Sequence, residues 1–224
     1  MDQSNRLRVL SANIDRKVSN LTELAKLANK LNPVVICLQD MFCCDTRPKR
    51  EAIPTLFPGY FEHTDGPEGS KITTLTCIQA TRLLDIRTHT EANLITTQIL
   101  SIAINNAHNE NLINIYVRPK SNPTMLLNTL NWIEGNVDNM SRILLTGDVN
   151  ATGFLWDKQL GEKVIRGPTS LYEKAKISRG RVIEHWIAHR NLTCLNEDLK
   201  AITFRAGSNI ASSIDISIVG NKSR

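Results

Sequence analysis

No stretch of the 224-residue sequence approaches the roughly 20 consecutive apolar residues needed to cross a bilayer. The opening residues, MDQSNRLRV, contain no apolar core of the kind a secretory leader needs. There is no CxxC pair, and Cys37, Cys43, Cys44, Cys77 and Cys194 lack the paired spacing of a zinc site. Five is an odd number of cysteines, and adjacent Cys43 and Cys44 are badly placed for a structural disulfide. Reduced, mostly buried thiols are the expectation, in a soluble intracellular protein with no membrane partner. Internal repeats, linkers and low-complexity tracts are also absent. Nothing divides the chain, and its length suits one domain, residues 1–224.

What is there is ordinary in bulk. Hydrophobic residues make up 41%, enough to bury a core and to exclude wholesale disorder. Lys and Arg outnumber Asp and Glu by 27 to 22, a net charge of +5. So mild an excess is compatible with a polyanionic partner without identifying one.

Residues 8–13 read as a short strand running straight into polar Asn13-Ile14-Asp15. Leu21, Leu24, Leu27, Ala28 and Leu31 then recur at helical spacing, and Asn32-Pro33 closes that helix. Residues 34–38 are continuously apolar, as in a strand buried on both faces, and end at Gln39-Asp40. Strand, helix and strand joined in this way form a parallel unit. Residues 42–69 hold four of the eight prolines and many charges, which predicts irregular surface. Strand-like segments follow at 72–80, 94–100, 101–105 and 112–117, then a helix at 124–137 carrying Met125, Leu126, Leu127, Leu130, Trp132 and Ile133. Residues 142–146 read as another buried strand, delivering Gly147-Asp148-Val149-Asn150. A helix is predicted at 181–189, and two last strands at 201–204 and 212–219 are joined by a turn at 205–209. Strands alternating with helices and mixed with hairpins predict one layered α/β domain.

Polar residues collect where these strands end. Asn13 and Asp15 follow the first strand, and Gln39 and Asp40 the second. Tyr116 and Arg118 end a middle strand, Asp148 and Asn150 follow another, and Asp215 lies within an apolar run. Strand termini sharing one edge of an α/β sheet form a natural active-site rim. Carboxylates arriving there with amides and a phenol suit a hard, oxygen-binding cation such as Mg²⁺. Such a cation neutralises charge on phosphoryl oxygens and activates water. Taken singly, an Asp at a strand end is more often a turn former or a helix cap. Asp215 says more, because a carboxylate in an apolar strand is costly unless it has a partner.

The order of these motifs is familiar. SANIDR (residues 11–16), CLQD (37–40), YVRP (116–119), GDVNA (147–151), Thr203-Phe204 and SSID (212–215) resemble the motif series of the endonuclease/exonuclease/phosphatase superfamily. They are most similar to the apurinic-like endonuclease domain of non-LTR retrotransposons. ANIDRK together with YVRP and GDVNATGFLW resembles the insect elements that target ribosomal DNA or telomeric repeats. The resemblance extends from Leu7 to about Val219. It implies a four-layer α/β sandwich of two mixed β-sheets flanked by helices, and a site using Mg²⁺ or Mn²⁺. By the same resemblance Asp40 binds the metal, with Asp15 as a second carboxylate. Asn13 and Asn150 orient phosphate and water, and Asp148 positions or deprotonates that water. Tyr116 contacts the scissile phosphate, Thr203 and Ser212 hold the DNA backbone, and Asp215 orients a catalytic histidine. Phosphodiester cleavage needs an oriented nucleophile and concentrated positive charge more than covalent chemistry from the protein.

Two departures stand out. Asp40 is one methylene shorter than the family's Glu, a reach difference of roughly an ångström, a scale at which rates change by about a hundredfold. The family's closing Ser-Asp-His lies well beyond the Asp matched by Asp215, and the present sequence ends nine residues after it, at Arg224. None of His63, His89, His108, His185 and His189 falls in a matching place, and they read as surface or capping histidines. Weakened cleavage is the expectation for these 224 residues.

Basic residues supply a candidate DNA surface. Arg47, Lys49 and Arg50 lie in a predicted loop near Asp40, and Lys174, Lys176, Arg179 and Arg181 precede the Trp186 helix. Such runs are as often solvated faces as phosphate contacts. Where they do touch DNA they position it without reading sequence. Arg118 and Arg205 join this set, and the turn at 205–209 resembles the hairpin these endonucleases place against DNA. Trp132, Trp156 and Trp186 read as core residues. The resemblance implies an enzyme that nicks one strand of double-stranded DNA and leaves a 3′-hydroxyl for target-primed reverse transcription. The polymerase would lie in the same polyprotein, and the domain is expected to be monomeric and nuclear. Two other readings stand beside it. One is an abasic-site repair nuclease or other phosphoesterase of the same fold, and the other a DNA-binding remnant without catalysis.

Overall fold

The computed structural model describes residues 7–41, 53–64, 74–79, 83–105, 108–156, 170–196, 204–206, 210–212 and 215–221. Two mixed sheets carry the chain. The first is formed by β1 (Val9–Asn13), β2 (Val35–Gln39), β3 (Tyr60–Thr64) and β4 (Thr74–Gln79), in the order β1-β2-β4-β3. The second contains β5 (Leu83–Glu91), β6 (Ile95–Asn105), β7 (His108–Val117), β8 (Ile143–Asp148), β9 (Thr193–Cys194) and β12 (Asp215–Val219), in the order β5-β6-β7-β8-β12-β9. A separate hairpin pairs β10 (Phe204–Ala206) with β11 (Ile210–Ser212). The β1/β2 and β7/β8 pairs are parallel, and the others in both sheets are antiparallel. No helix among the described residues is long and apolar enough to cross a membrane.

Side-chain alternation along the strands sorts the core into three layers. In β2, Ile36 and Leu38 face helix α1 (Val18–Leu31), where they meet Leu21, Leu24, Ala25 and Ala28. Val35 and Cys37, one residue out of phase, pack instead with Ile78, Leu100, Ile102 and Leu112, so this layer lies between the sheets. In β7 and β8, Ile113, Ile115, Ile143 and Leu145 face α2 (Pro123–Asn136) and α3 (Leu171–His189), against Leu126, Leu130, Ile133, Ile183 and Trp186. Helix, sheet, sheet, helix is the four-layer α/β sandwich predicted above. At about 25 cal/mol per Å² of apolar surface removed from water, these three layers supply the main drive to fold.

Local sequence explains the boundaries. Helix α1 closes where Asn32 turns left-handed at φ 45 and its N–H donates to Ala28 O, with Pro33 following. Helix α2 starts at Pro123 under an Asn122 cap whose side chain accepts from the Met125 N–H. Helix α3 begins after Ser170, which accepts from the Glu173 N–H.

Several expectations need correction. Residues 94–100 and 101–105 form one strand, β6, because its residues pair with β7 along its whole length despite the polar break. The stretch predicted as irregular contains β3, which pairs with β4 through its backbone. It also contains Ile53 and Phe57, both buried against α1's layer. Helix α3 starts at Leu171, ten residues before the predicted 181, and its early turns were hidden by their charge. The last predicted strands shift as well: 201–204 becomes β10, and 212–219 divides into β11 and β12. Trp156 and Trp186 are buried, whereas Trp132 is half-buried and stacks on His89 with ring centroids 4.7 Å apart. Cys37, Cys77 and Cys194 are free, buried thiols, and Cys43 and Cys44 lie outside the described residues.

Candidate active site

The layer between the sheets changes character along its length. Apolar at one end, it becomes amide and hydroxyl in the middle. Gln39 Nε2 donates to Asn114 Oδ1 at 2.7 Å and Asn114 Nδ2 donates to Thr76 Oγ1 at 3.1 Å. Thr76 Oγ1 in turn donates to Gln98 Oε1 at 2.7 Å. This buried chain of amides ties the two sheets together across the sandwich, and buried polar groups are stable only when bonded in this way. One step further along, the layer opens at the carboxyl ends of β1, β2, β7 and β8.

Register brings the site residues there. Thr96, Tyr116, Asp148 and Asp215 form one cross-strand row through β6, β7, β8 and β12. Residues in register share a face, so Tyr116, Asp148 and Asp215 all point toward the first sheet. From that sheet Asn13, in register with Gln39, reaches across, and its Nδ2 donates to Asp148 Oδ2 at 2.6 Å. The other carboxylate oxygen, Oδ1, accepts from the Asn150 backbone N–H at 2.8 Å. Asn150 is held in turn, its Nδ2 donating to Val117 O at 2.9 Å.

The chain reverses sharply at these strand ends. Asp40 and Asn150 both adopt left-handed backbone, at φ 49 and φ 43, as do Asp15 and Arg16. Asn and Asp tolerate that region better than other non-glycine residues, which explains the residue types chosen. Gly147, at φ +145, is required where it stands: a Cβ there would lie 2.0 Å from Ile115 O.

Electrostatics distinguishes the groups. Asp148 is 1% exposed. Burial first, then the negative charge of Asp215, pushes its pKa from 3.8 up to about 7; the bonds from Asn150 and Asn13 act against that rise. Burial, the carboxylates of Asp40 and Asp148, and hydrogen bonding to Asp40 drive the Tyr116 phenol up as well. It is a neutral O–H donor at any working pH. Arg16 Nε lies 3.0 Å from Asp40 Oδ1 and keeps that carboxylate oriented at the rim.

Asn13, Asp40, Tyr116, Asp148, Asn150 and Asp215 therefore share one edge of the sandwich. The backbone N–H of Asp15 donates to Asn13 Oδ1 at 2.8 Å, but its carboxylate is exposed and paired with Lys17. Arg118 stands at the same end, its N–H donating to Leu94 O at 2.8 Å. Thr203, Arg47, Lys49 and Arg50 lie outside the described residues. Arg205 and Ser212 belong to the β10–β11 hairpin, and their side chains lie outside the described residues. Among the described residues no group of three or more His, Cys, Asp or Glu is placed to hold a metal. Mg²⁺ needs fewer, since it keeps several waters and takes one or two carboxylates plus substrate phosphate. Asp40, at the rim with no thiolate or imidazole beside it among the described residues, is an oxygen donor of the kind that cation takes.

The basic cluster before Trp186 divides, with Lys174 and Arg181 exposed as expected and Lys176 and Arg179 buried. Arg179 is fully buried, and Lys176 is buried with its Nζ 5.4 Å from the Tyr172 ring centroid. Neither is a solvated face or a phosphate contact. Sequence reasoning missed Arg179 because a lone Arg on a charged helix turn carries no periodic signal. It also gave no role to Arg16 or to Gln39 and Asn114; Arg16 and Gln39 stand beside assigned residues within the quoted motifs.

Residues 111–224 match the endonuclease-reverse transcriptase family. No curated protein matches the chain. Among solved structures, the endonuclease domain of TRAS1, a telomere-specific non-LTR retrotransposon, is similar with a TM-score of 0.68 at 20% identity. That match covers 95% of this chain and 84% of the TRAS1 domain. The AP endonuclease LMAP from Leishmania major has a TM-score of 0.65 at 15% identity, covering 99% of this chain and 81% of its own. D. rerio TDP2 complexed with a single strand DNA product has a TM-score of 0.63 at 11% identity, covering 97% and 85%. At these identities the likeness is one of fold, the two-sheet sandwich of the endonuclease/exonuclease/phosphatase superfamily.

Proposed function

Because the chain belongs to the endonuclease-reverse transcriptase family, we propose that it is a divalent-metal-dependent endonuclease that nicks one strand of duplex DNA and leaves a 3′-hydroxyl. The observation that carries this reading is Asp148: a buried carboxyl titrating near pH 7, fixed by Asn13 and Asn150, and in register with a neutral Tyr116. A base tuned to neutrality beside a permanent O–H donor is the pair a phosphodiester hydrolysis needs.

In the proposed reaction, ionised Asp148 takes the proton of a water whose oxygen attacks the scissile phosphorus. The phosphorus–O3′ bond breaks, and the departing 3′ oxygen takes up a proton from solvent. That leaves a 3′-hydroxyl on one side of the nick and a 5′-phosphate on the other. The Tyr116 phenol donates to a nonbridging phosphate oxygen, and the Asn150 and Asn13 amides hold Asp148 along the line of attack. Asp40 would hold Mg²⁺ or Mn²⁺, with Asp15 as a second carboxylate once it leaves Lys17, and the ion would supply positive charge to the phosphoryl oxygens. Arg118 and the basic residues Arg47, Lys49, Arg50 and Arg205 take the flanking phosphates. Thr203 and Ser212 hold the backbone near the cut, and Asp215 keeps the proton affinity of Asp148 high. In its biological setting the 3′-hydroxyl primes reverse transcription by a polymerase of the same polyprotein, in the nucleus.

Mapping the products tests this. With Mg²⁺, intact duplex DNA is expected to acquire single-strand nicks whose 3′ ends a polymerase extends directly. Cleavage confined to abasic-site oligonucleotides, or release of phosphate from a phosphomonoester with intact duplex untouched, would replace this reading with a repair or phosphatase function.

A further inference from the structure

Arg179 is the largest side chain that is fully buried, at 0% exposure, and among the described residues it makes no ion pair with a carboxylate. Its donors go to backbone carbonyls instead. Nε reaches Asn150 O at 3.0 Å, and Nη2 bonds the same oxygen. Nη1 reaches Pro119 O at 3.2 Å and also Ser121 O. Those three carbonyls belong to two loops. One follows β8 and carries Asn150; the other follows β7, which delivers Tyr116. The Asn150 side chain crosses the same gap by donating to Val117 O.

The neighbouring residue makes the arrangement possible. A Cβ on Gly180 would lie 1.9 Å from Thr152 O, so α3 sits against the Asn150 loop at a distance only glycine permits. The Thr152 N–H donates to Lys176 O at 3.1 Å, fastening loop and helix by their backbones. A buried charge is costly unless it is well bonded. This one is bonded across both catalytic loops, and the negative charge of Asp148 supports it as well.

We propose that Arg179 is a positioning residue for the cleavage reaction, a guanidinium clamp that fixes the distance between the Tyr116 loop and the Asp148–Asn150 loop. The inference rests on the nuclease reading above. Arginine is needed because its planar fork serves three carbonyls in two directions, whereas a lysine ammonium on a flexible stem cannot. When the clamp is lost, Asn150 is free to drift. With it moves the N–H that orients the carboxylate of Asp148.

Two variants test it, Arg179→Lys and Arg179→Met, each compared with wild type after circular dichroism and thermal melting establish folding. Should Arg179→Met fail to fold, Arg179→Lys, which keeps charge and most of the volume, carries the test. One readout is independent of catalysis: amide hydrogen exchange at Asn150 is expected to quicken by about tenfold or more, since at least two net hydrogen bonds are lost. Exchange in β6 and β7 stays as in wild type. The second readout is nicking kinetics, where kcat falls by about a hundredfold with KM unchanged, the signature of misplaced catalytic groups. Faster exchange at Asn150 in a protein whose wild type does not nick would leave the clamp standing and refute the nuclease reading. Unchanged exchange in folded Arg179→Lys would overturn the clamp, whatever happens to kcat. So would a fall in KM-linked binding alone.

Discussion

Replacing Asp148 with asparagine should stabilise the protein above neutral pH while abolishing its chemistry, and the size of the effect follows from the site. Asp148 holds its proton until about pH 7, against 3.8 in a solvated carboxyl. The sign is that of a group whose pKa is raised by folding. Its contribution to stability is fully present below pH 3.8, declines as pH rises, and is lost above about 7. At about 1.4 kcal/mol for each pH unit in that window, ionising Asp148 costs the folded state about 4 kcal/mol. The asparagine of Asp148→Asn never ionises and escapes that cost. Its side-chain oxygen can still accept from the Asn150 N–H, but its amide would face the Asn13 amide that now donates to Asp148. Losing one buried hydrogen bond costs about 1–3 kcal/mol. The variant should therefore be less stable than wild type by about 1–3 kcal/mol at pH 4 and more stable by about 1–3 kcal/mol at pH 8. Urea unfolding of both proteins in EDTA, at half-unit steps from pH 4 to 8, measures the difference directly. Taking the difference cancels titrations common to the two. A stability gap that stays constant across that range would refute the argument that Asp148 is buried with a neutral-range proton affinity.

Other substitutions probe neighbouring links. Tyr116→Phe removes the phenol donor and leaves the buried ring, so nicking should fall by about a hundredfold while the melting temperature barely moves. Equal losses of stability and rate would count against a phosphate contact. Gly147→Ala forces a Cβ to 2.0 Å from Ile115 O in a backbone region closed to alanine, and should cost about 3 kcal/mol or more by denaturant unfolding. A fully stable variant would show the β7–β8 approach to be looser than described. Asp40→Glu should tighten Mn²⁺ binding by calorimetry and raise the nicking rate, by up to about a hundredfold if reach limits the present site. Asp40→Ala should bind no ion. Identical titrations for all three proteins would remove Asp40 from the metal site.

The β1–α1–β2 unit was legible because its signals are local: helical spacing from Leu21 to Leu31, the Asn32-Pro33 stop, and a five-residue apolar strand. The rim at the strand ends followed from the same reading, since polar residues after apolar runs mark where strands stop. Parity along β7 separates Leu112, Asn114 and Tyr116 from Ile113, Ile115 and Val117. Sequence alone cannot say which set faces the second sheet, because both sets hold large buried residues. Strand β5 and its edge position were invisible, as Leu-Leu-Asp-Ile-Arg-Thr-His-Thr-Glu mixes exposed and half-buried residues without strict alternation. The early turns of α3 were missed for a related reason. Lys176 and Arg179 read as surface, yet one lies by a tyrosine ring and the other spends its donors on backbone carbonyls. Backbone acceptors leave no mark in a sequence, so a residue that works through them is found only in three dimensions.

The claim that Asp148 is the base of a metal-dependent DNA nuclease is tested most directly on supercoiled plasmid. Wild type and Asp148→Asn, at equal folded concentration, are incubated with plasmid and Mg²⁺ across pH 5.5 to 8.5, with an EDTA control. Wild type should convert supercoiled to nicked circles, at a rate that rises with pH as Asp148 ionises, and should stop in EDTA. Asp148→Asn should be slower by at least about a thousandfold at every pH, as expected for the loss of a positioned base. Nicking by Asp148→Asn at the wild-type rate, or by wild type in EDTA, would contradict the account.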